Sequence, residues 1–580
     1  MILQTHMVFG GIPYYLSLLN KDESLVQNID RLFFSRDAKM RREFKRLFNT
    51  LHKHPERHID NIKALSKSRQ GMTREQLATK LKCANNGHLG DNLEDLVIQK
   101  KSLKSVFLNL QKSQKGVYLH HQKSQKGAKT TMKRKIYQQL LEWKNKRQGG
   151  VALLVEGARR IGKSYIVEEF GRNEYKSYIL IDFNKAPNMV RDWFDLYLED
   201  LDTLFLFLSQ HYKVKLHDRD SLIILDEIQL CPRARSAIKF LVADGRYDYI
   251  ETGSLVSIKK NTKGIVLPSE ERSIQMYPMD FEEFLWATGN DMLMDLIRKM
   301  YAEQKPMGQV FHRKAMDAFR LYMIVGGMPQ AVKKYVETKD FEAVDAAKRD
   351  VLTIYRNDIF NYAGEIADKV VSIFDQIPSQ LSRHEKKFRL TALKPGAKYR
   401  DWDDAFFWLK DANVVNICYN STDPNIGLKI NEDRTTLKCY LNDTGLLISH
   451  SFDEKGIVSS EIYQKLLFGK LEVNEGMFLE NMVAQMLTAS GNSLYFYSKS
   501  SENADERMEI DYLLQKDKVT SRHNIRPIEV KSGKNYTLSS LTKCMRRFGE
   551  YMTNPTVLHA ADYKVEEGIT YLPIYMTPLL

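Results

Sequence analysis

The stretch VALLVEGARRIGKS, Val151–Ser164, decides how the rest of this 580-residue chain is read. Its first seven residues form an apolar run ending in glycine, the pattern of a buried strand. The last eight read G-x-x-x-x-G-K-S, and IVEEFG continues as a helix. This strand–loop–helix context is what a phosphate-binding loop requires. Gly157 and Gly162 let the backbone N–H groups of the loop, Ala158, Arg159, Arg160 and Ile161 among them, curl around phosphate oxygens. The helix N-terminus adds the positive end of its dipole. Lys163 is expected to reach the β- and γ-phosphates of ATP, and the Ser164 hydroxyl to ligate Mg²⁺.

Working outward, SLIILDEIQ (Ser221–Gln229) is a second buried-strand run, ending in two carboxylates. Asp226 at the strand tip fits a Mg²⁺ ligand, and Glu227 fits the base that orients the attacking water. YILIDF (Tyr178–Phe183) supplies another strand between these two segments, and DYIETGS (Asp248–Ser254) the next. Thr252 and Ser254 at its end are placed to sense the γ-phosphate or hold the water. The expected core is therefore an α/β P-loop NTPase with a parallel sheet, spanning residues 132–290.

The run DEIQ, ETGS, RSIQMYPMDFEEFLWA (Arg272–Ala287) and GGMP (Gly326–Pro329) resembles a family of prokaryotic AAA-type ATP-binding proteins with a further C-terminal domain. The resemblance covers residues 132–580. It implies a helical lid over 291–365, and an arginine that reads a γ-phosphate, for which Arg272 is the candidate. The family's usual Gly-Arg pair is Glu271-Arg272 here. In the lid, Gly326 and Gly327 allow backbone angles closed to other residues, and Pro329 opens the next helix.

Residues 366–448 read as helix, helix and a strand pair (VVNICYN and TLKCYLND), a winged-helix-like order. The helix best placed for recognition carries Asp401, Asp403, Asp404 and Asp411, which would repel a phosphate backbone. A protein-interaction or lid role is therefore favoured over DNA contact there. In 449–580, Glu480 lies on a helix, Asp511 on a strand, and Glu529 and Lys531 on one face of another strand. This order resembles the restriction-endonuclease-like fold. In its active members the acids bind Mg²⁺ and the lysine supports the attacking water.

Apolar content of 43% and charged content of 28% are those of a globular chain of several domains. No run approaches the ~20 apolar residues of a membrane span, and no secretory leader is visible. Five scattered cysteines without a C-x-x-C pair argue against disulfides and zinc and suit the cytoplasm. The net charge of +14 is concentrated: eleven Lys/Arg and no acid between Gln99 and Lys135 leave +3 for everything else. That segment repeats QKSQKG at Gln111–Gly116 and Gln122–Gly127, so 99–131 reads as a basic linker. Residues 1–98 look helical, partly like half a winged helix, and carry a second GG-x-P at Gly10–Pro13. They resemble the tail of a related ATPase.

The expected function is Mg²⁺-dependent ATP hydrolysis that moves the C-terminal domains, with a DNA or protein partner and a homo-oligomer among the implied partners. The alternatives are an ATP-controlled nuclease and a nucleotide switch that does not hydrolyse.

Overall fold

A computed structural model describes residues 132–254, 269–425, 427–452, 461–463, 475–516, 521–533 and 535–580. The helical stretch 1–98, its GG-x-P copy and the basic linker 99–131 lie outside the described residues. Residues 131–580 form one compact unit.

The first sheet holds β1 (Ala152–Glu156), β2 (Ser177–Asp182), β3 (Ser221–Asp226), β4 (Asp248–Gly253) and β5 (Glu271–Gln275). Their spatial order is β2-β3-β4-β1-β5, and every pairing is parallel. The apolar runs read from the sequence are buried on both faces, as a parallel sheet covered by helices demands. Alternation sorts them: Leu153 and Val155 join one apolar cluster, Ala152 and Leu154 the other. The first face takes α1 (Ile136–Arg147) and α2 (Lys163–Glu174). The second takes α3 (Asn188–Leu196), α4 (Leu201–Tyr212) and α5 (Pro232–Asp244).

Beyond β5 the chain is helical through α6 (Phe281–Ala287), α7 (Asp291–Ala302), α8 (Gln309–Val325), α9 (Pro329–Thr338) and α10 (Phe341–Tyr362). MDFEEF begins α6 with a reciprocal cap, Asp280 accepting from Glu283 N and Glu283 from Asp280 N. Buried Arg134, just before α1, fixes this turn through an ion pair with Glu283 at 3.1 Å.

The Gly326-Gly327 turn is a crossing point rather than a simple bend. Gly326 has φ 81°, and a Cβ there would lie 2.3 Å from Asp443 Oδ1. Gly327 has an ordinary φ; its requirement is close approach, since a Cβ would lie 2.1 Å from Met279 O. Met279 N donates to Gly327 O at 2.7 Å, and Gly327 N to Asp443 at 2.5 Å. Pro329 then opens α9 beside the phosphate loop, its ring 3.8 Å from where a Gly162 side chain would stand.

α11 (Ala367–Leu381) and α12 (Asp403–Asp411) precede the hairpin β6 (Val415–Ser421) and β7 (Glu432–Leu441). This hairpin, expected as the wing of a winged helix, belongs to a larger sheet instead. After α13 (Thr444–Ser451) and α14 (Glu475–Ala489) come β8 (Tyr495–Lys499), β9 (Met508–Gln515) and β10 (Ile525–Val530). Then follow α15 (Ser539–Phe548), β11 (Thr556–His559), β12 (Lys564–Glu566) and β13 (Ile569–Pro573). The eight strands run β12-β13-β11-β10-β9-β8-β6-β7, joined at β6–β8 by Tyr419 opposite Tyr495. The boundary expected at 448/449 therefore cuts through a hydrogen-bonded sheet. One apolar cluster runs without a break from Leu153 through Tyr322 and Phe374 to Ile528, across all three boundaries expected after 290. The four described cysteines are free and buried. Among the described residues no helix is long and apolar enough to cross a membrane.

Candidate active site

The loop between β1 and α2 is shaped by its glycines. Gly157 has φ 146° and Gly162 φ 93°, and a Cβ on Gly157 would lie 2.2 Å from Met276 O. Gly162 caps α2 without any side-chain acceptor, so the first-turn N–H groups of that helix have no side-chain cap. Arg160, also in the left-handed region at φ 67°, points to solvent. The buried Arg134 braces the loop from behind, donating to Ile161 O and Tyr277 O, both at 2.7 Å.

Lys163 folds back over this loop, its Nζ donating to Gly157 O at 2.9 Å and Ala158 O at 2.8 Å. Burial pulls its ammonium down to about 8, opposed by Glu227 and Asp226. The Ser164 hydroxyl donates to Asp226 Oδ1 at 2.8 Å, and the Thr252 hydroxyl donates to the same oxygen. Burial raises the Asp226 carboxyl, and these two hydroxyls oppose the rise. Glu227, one residue on, sits in the left-handed region at φ 54° and ψ 49°. Such a conformation is costly for a residue with a side chain and is a usual mark of functional positions. Its Oε2 accepts from Gln229 Nε2 at 2.6 Å.

Strand order explains the convergence. β4 lies between β1 and β3, so Lys163 and Ser164 after β1, Thr252 in β4 and Asp226 in β3 meet at the carboxyl ends of the three central strands. Ser254, buried just past β4, lines a small cavity with Arg159, Tyr355, Asp358 and Trp408.

Two partners were not legible in the motifs. Arg159 pairs with Asp358 of α10, whose carboxyl is raised by burial and opposed by that arginine. Tyr355, one turn earlier, donates to Arg159 O at 3.4 Å. A carboxylate on the same helix face three residues from a tyrosine is the signal that could have found them. At its other end α10 buries Lys348, which donates to Ile324 O at 2.9 Å and Tyr463 OH at 3.1 Å. One helix thus touches the phosphate loop and the turn beside Gly326.

Arg272 does not join the site. It is exposed on β5 opposite Leu153, about 13 Å along the strand from Gly157 at ~3.3 Å per residue. Its neighbour Glu271 points inward, holding the buried Arg235 of α5 at 3.0 and 3.2 Å. The departure from a Gly-Arg pair is thereby given a structural partner. Buried Glu251 of β4 lies 3.9 Å from the same arginine, its carboxyl well above the usual range through burial and Glu271.

The second expected constellation also assembles, in the eight-stranded sheet. Glu480, Asp511 and Glu529 are close enough to perturb one another, and Lys531 holds Glu529 at 2.5 Å. Burial and Asp511 push the Glu529 carboxyl up to about 8, against the pull of Lys531. Three lysines outside the expected set enter the same cluster. Lys386 pairs with Glu480, Lys438 lies 2.8 Å from Glu509, and Lys387 lies 4.0 Å from Glu509. Among the described residues no group of three or more His, Cys, Asp or Glu is arranged to hold a metal ion.

Comparison with known proteins bears on the first site. Residues 150–285 match the AAA domain. The AAA domain contains β1 to β5, the phosphate loop and both carboxylates, so the core of this chain is a parallel-sheet P-loop NTPase of AAA type. Residues 316–455 and 475–576 match two domains of unknown function, DUF8612 and DUF4143. An uncharacterised protein of Haemophilus influenzae is 23% identical over 188 residues, 31% of this chain and 44% of that relative. The match thus spans less than half of the curated relative's length. Among solved structures, a Walker-type ATPase of Pyrococcus abyssi is similar at 14% identity and TM-score 0.32, over 55% of this chain and 96% of that one. Cdc6p of Pyrobaculum aerophilum follows at 11% and 0.21, over 60% and 98%.

Proposed function

We propose that this chain binds ATP with Mg²⁺ in its AAA domain and hydrolyses it, and that nucleotide state is passed through α10 to the eight-stranded sheet. The observation that carries this reading is the meeting of Ser164, Asp226 and Thr252 on one carboxylate oxygen, beside Lys163 and Glu227. The residues suit the ligand: a hydroxyl and a carboxylate are hard oxygen donors, and a helix N-terminus without a side-chain cap faces the phosphate side. Ser164 and Asp226 would hold the Mg²⁺, which supplies charge neutralisation between the β- and γ-phosphates.

The chain's own groups account for the rest. Lys163 leaves two carbonyl oxygens to meet phosphate oxygens, exchanging neutral acceptors for charged ones. Glu227 would accept a proton from the attacking water, its carboxylate held by Gln229 Nε2. Thr252 holds Asp226 in place, and Ser254, in the cavity with Arg159 and Asp358, would sense the γ-phosphate. The Arg159–Asp358 pair is the contact a γ-phosphate would compete for.

Arg272, exposed on β5 and remote from its own phosphate loop, serves only as a donor to a neighbouring copy's nucleotide. A homo-oligomer is thus part of the proposal. The acidic α12, with Asp403, Asp404 and Asp411, favours a protein partner over DNA for that region. The composition supports a cytoplasmic setting.

The test pairs two variants of the full chain. Lys163→Ala should lose ATP binding, and Glu227→Gln should bind ATP while turnover falls at least ~100-fold. Unchanged turnover by Glu227→Gln removes its assigned role. Wild-type ATP binding without turnover supports a nucleotide switch instead.

A further inference from the structure

The second carboxylate cluster has the chain order of a metal-dependent phosphodiesterase, yet its interior is occupied. Glu480 comes from α14, Glu509 and Asp511 from β9, and Glu529 from β10. Lys438 of β7 reaches into their midst with 1% of its side chain exposed. Its ammonium lies 2.8 Å from Glu509, 3.6 Å from Asp511 and 3.9 Å from Glu480. One cation thus touches three carboxylates at once.

All but one of the remaining carboxylate oxygens are also taken. Glu480 has Lys386 on one oxygen and accepts from Tyr440 OH at 3.1 Å on the other. Asp511 Oδ2 accepts from Val530 N at 2.9 Å. Glu529 Oε2 holds Lys531, which therefore faces its own strand neighbour rather than a substrate phosphate. Glu529 Oε1 alone is buried without a hydrogen-bond partner. Lys386, Lys438 and Lys531 pair with carboxyl groups of the cluster, and Lys387 is shared between Glu509 at 4.0 Å and Glu385 at 3.9 Å, so little negative charge is left over for a dication.

We infer that Lys438 is a built-in cation standing where a divalent metal would bridge Glu480, Glu509 and Asp511, so the cluster holds the C-terminal sheet together without Mg²⁺ and does not cleave phosphodiesters. Two physical reasons support this. A buried ammonium held by several carboxylates cannot be shed into solvent without exposing them to a low-dielectric interior. Mg²⁺ demands oxygen ligands at ~2.0–2.1 Å in near-octahedral array, and it cannot share that volume with the ammonium. Placement on β7 matters too: β7 is the sheet's edge strand, and Cys418 of β6 is Lys438's register partner. The hairpin that looks like a wing therefore delivers the cation that closes the cluster. This inference does not depend on the ATPase reading, because none of its residues belongs to the nucleotide site.

The test counts bound Mn²⁺ on the full-length chain by electron paramagnetic resonance, without nucleotide. Wild type and Asp511→Asn are expected to bind the same number of ions, because Asp511 contributes no metal site. Lys438→Met, which removes the ammonium, is expected to bind one more Mn²⁺ per chain, and the added Asp511→Asn change should abolish that gain. An Asp511-dependent ion in the wild type overturns the inference, and so does a folded Lys438→Met chain that gains none. Should Lys438→Met fail to fold, the wild-type and Asp511→Asn counts still decide: equality supports the inference and a difference refutes it.

Discussion

Lys163 and Lys438 are both buried lysines beside strand-borne carboxylates, and they behave in opposite ways. Lys163 donates to two neutral carbonyls, with Asp226 and Glu227 nearby but unpaired with it, and burial draws its ammonium down to about 8. Lys438 is in equally deep burial, but three carboxylates outweigh the desolvation and drive its ammonium above the ordinary value. In the first site the cation is poised on exchangeable neutral partners, leaving the acids available to a metal and a water. In the second the cation and acids have already satisfied one another. The same residue types thus make a site that can accept a charged ligand and a site that is closed to one, and the difference lies in which acceptor faces each ammonium.

The largest effect that would break this comparison is loss of the poised lysine. Lys163→Ala should weaken ATP binding at least ~100-fold by calorimetry and lower stability by about 1–3 kcal/mol, since two buried loop carbonyls lose their donor. Next comes Lys438→Met, which strands several carboxylates; unfolding in urea should show a loss of about 3–5 kcal/mol. A loss below about 1 kcal/mol would mean that the acids are already protonated and that the ammonium matters little.

Lys348 of α10 sharpens the contrast by pH. Like Lys163 it donates to neutral acceptors, and burial lowers it to about 8, partly offset by Asp345 and Asp443. Between pH 8 and 10.5 the unfolded chain keeps this proton and the folded chain does not. Wild-type stability relative to Lys348→Met should therefore rise through that window, by at most about 1.4 kcal/mol per pH unit. Lys438, raised instead, contributes stability that is present below the unfolded value and lost only as pH climbs through its higher folded value. The smallest expected effect is at Arg272: the Ala variant should keep wild-type stability and lose only the concentration-dependent part of ATP turnover.

How much of this was legible depends on sequence distance. The phosphate loop, the strand ending in Asp226-Glu227 and the Thr252 position are local patterns, and a buried parallel strand writes itself as an apolar run. Arg134 behind Ile161, Asp358 on Arg159 and Lys438 among the acids join residues tens to hundreds of positions apart, which no local spacing encodes. The β6–β7 hairpin misleads for a related reason: alternation specifies a strand pair but not which edge goes on to pair with β8. Gly326 and Gly327 were readable as a tight turn, but the need for Gly327 comes from Met279, which only the folded chain brings there. Glu271 shows how an apparent departure from a motif can be a buried ion pair.

In the proposed mechanism the Glu227 carboxylate, beside a poised Lys163, turns over bound ATP. Steady-state phosphate release by the wild-type chain and by Glu227→Gln, each with ATP affinity measured in parallel, tests it most directly. Equal affinity within about threefold and a turnover loss of at least ~100-fold in the variant are expected. Equal turnover at equal affinity would contradict the mechanism.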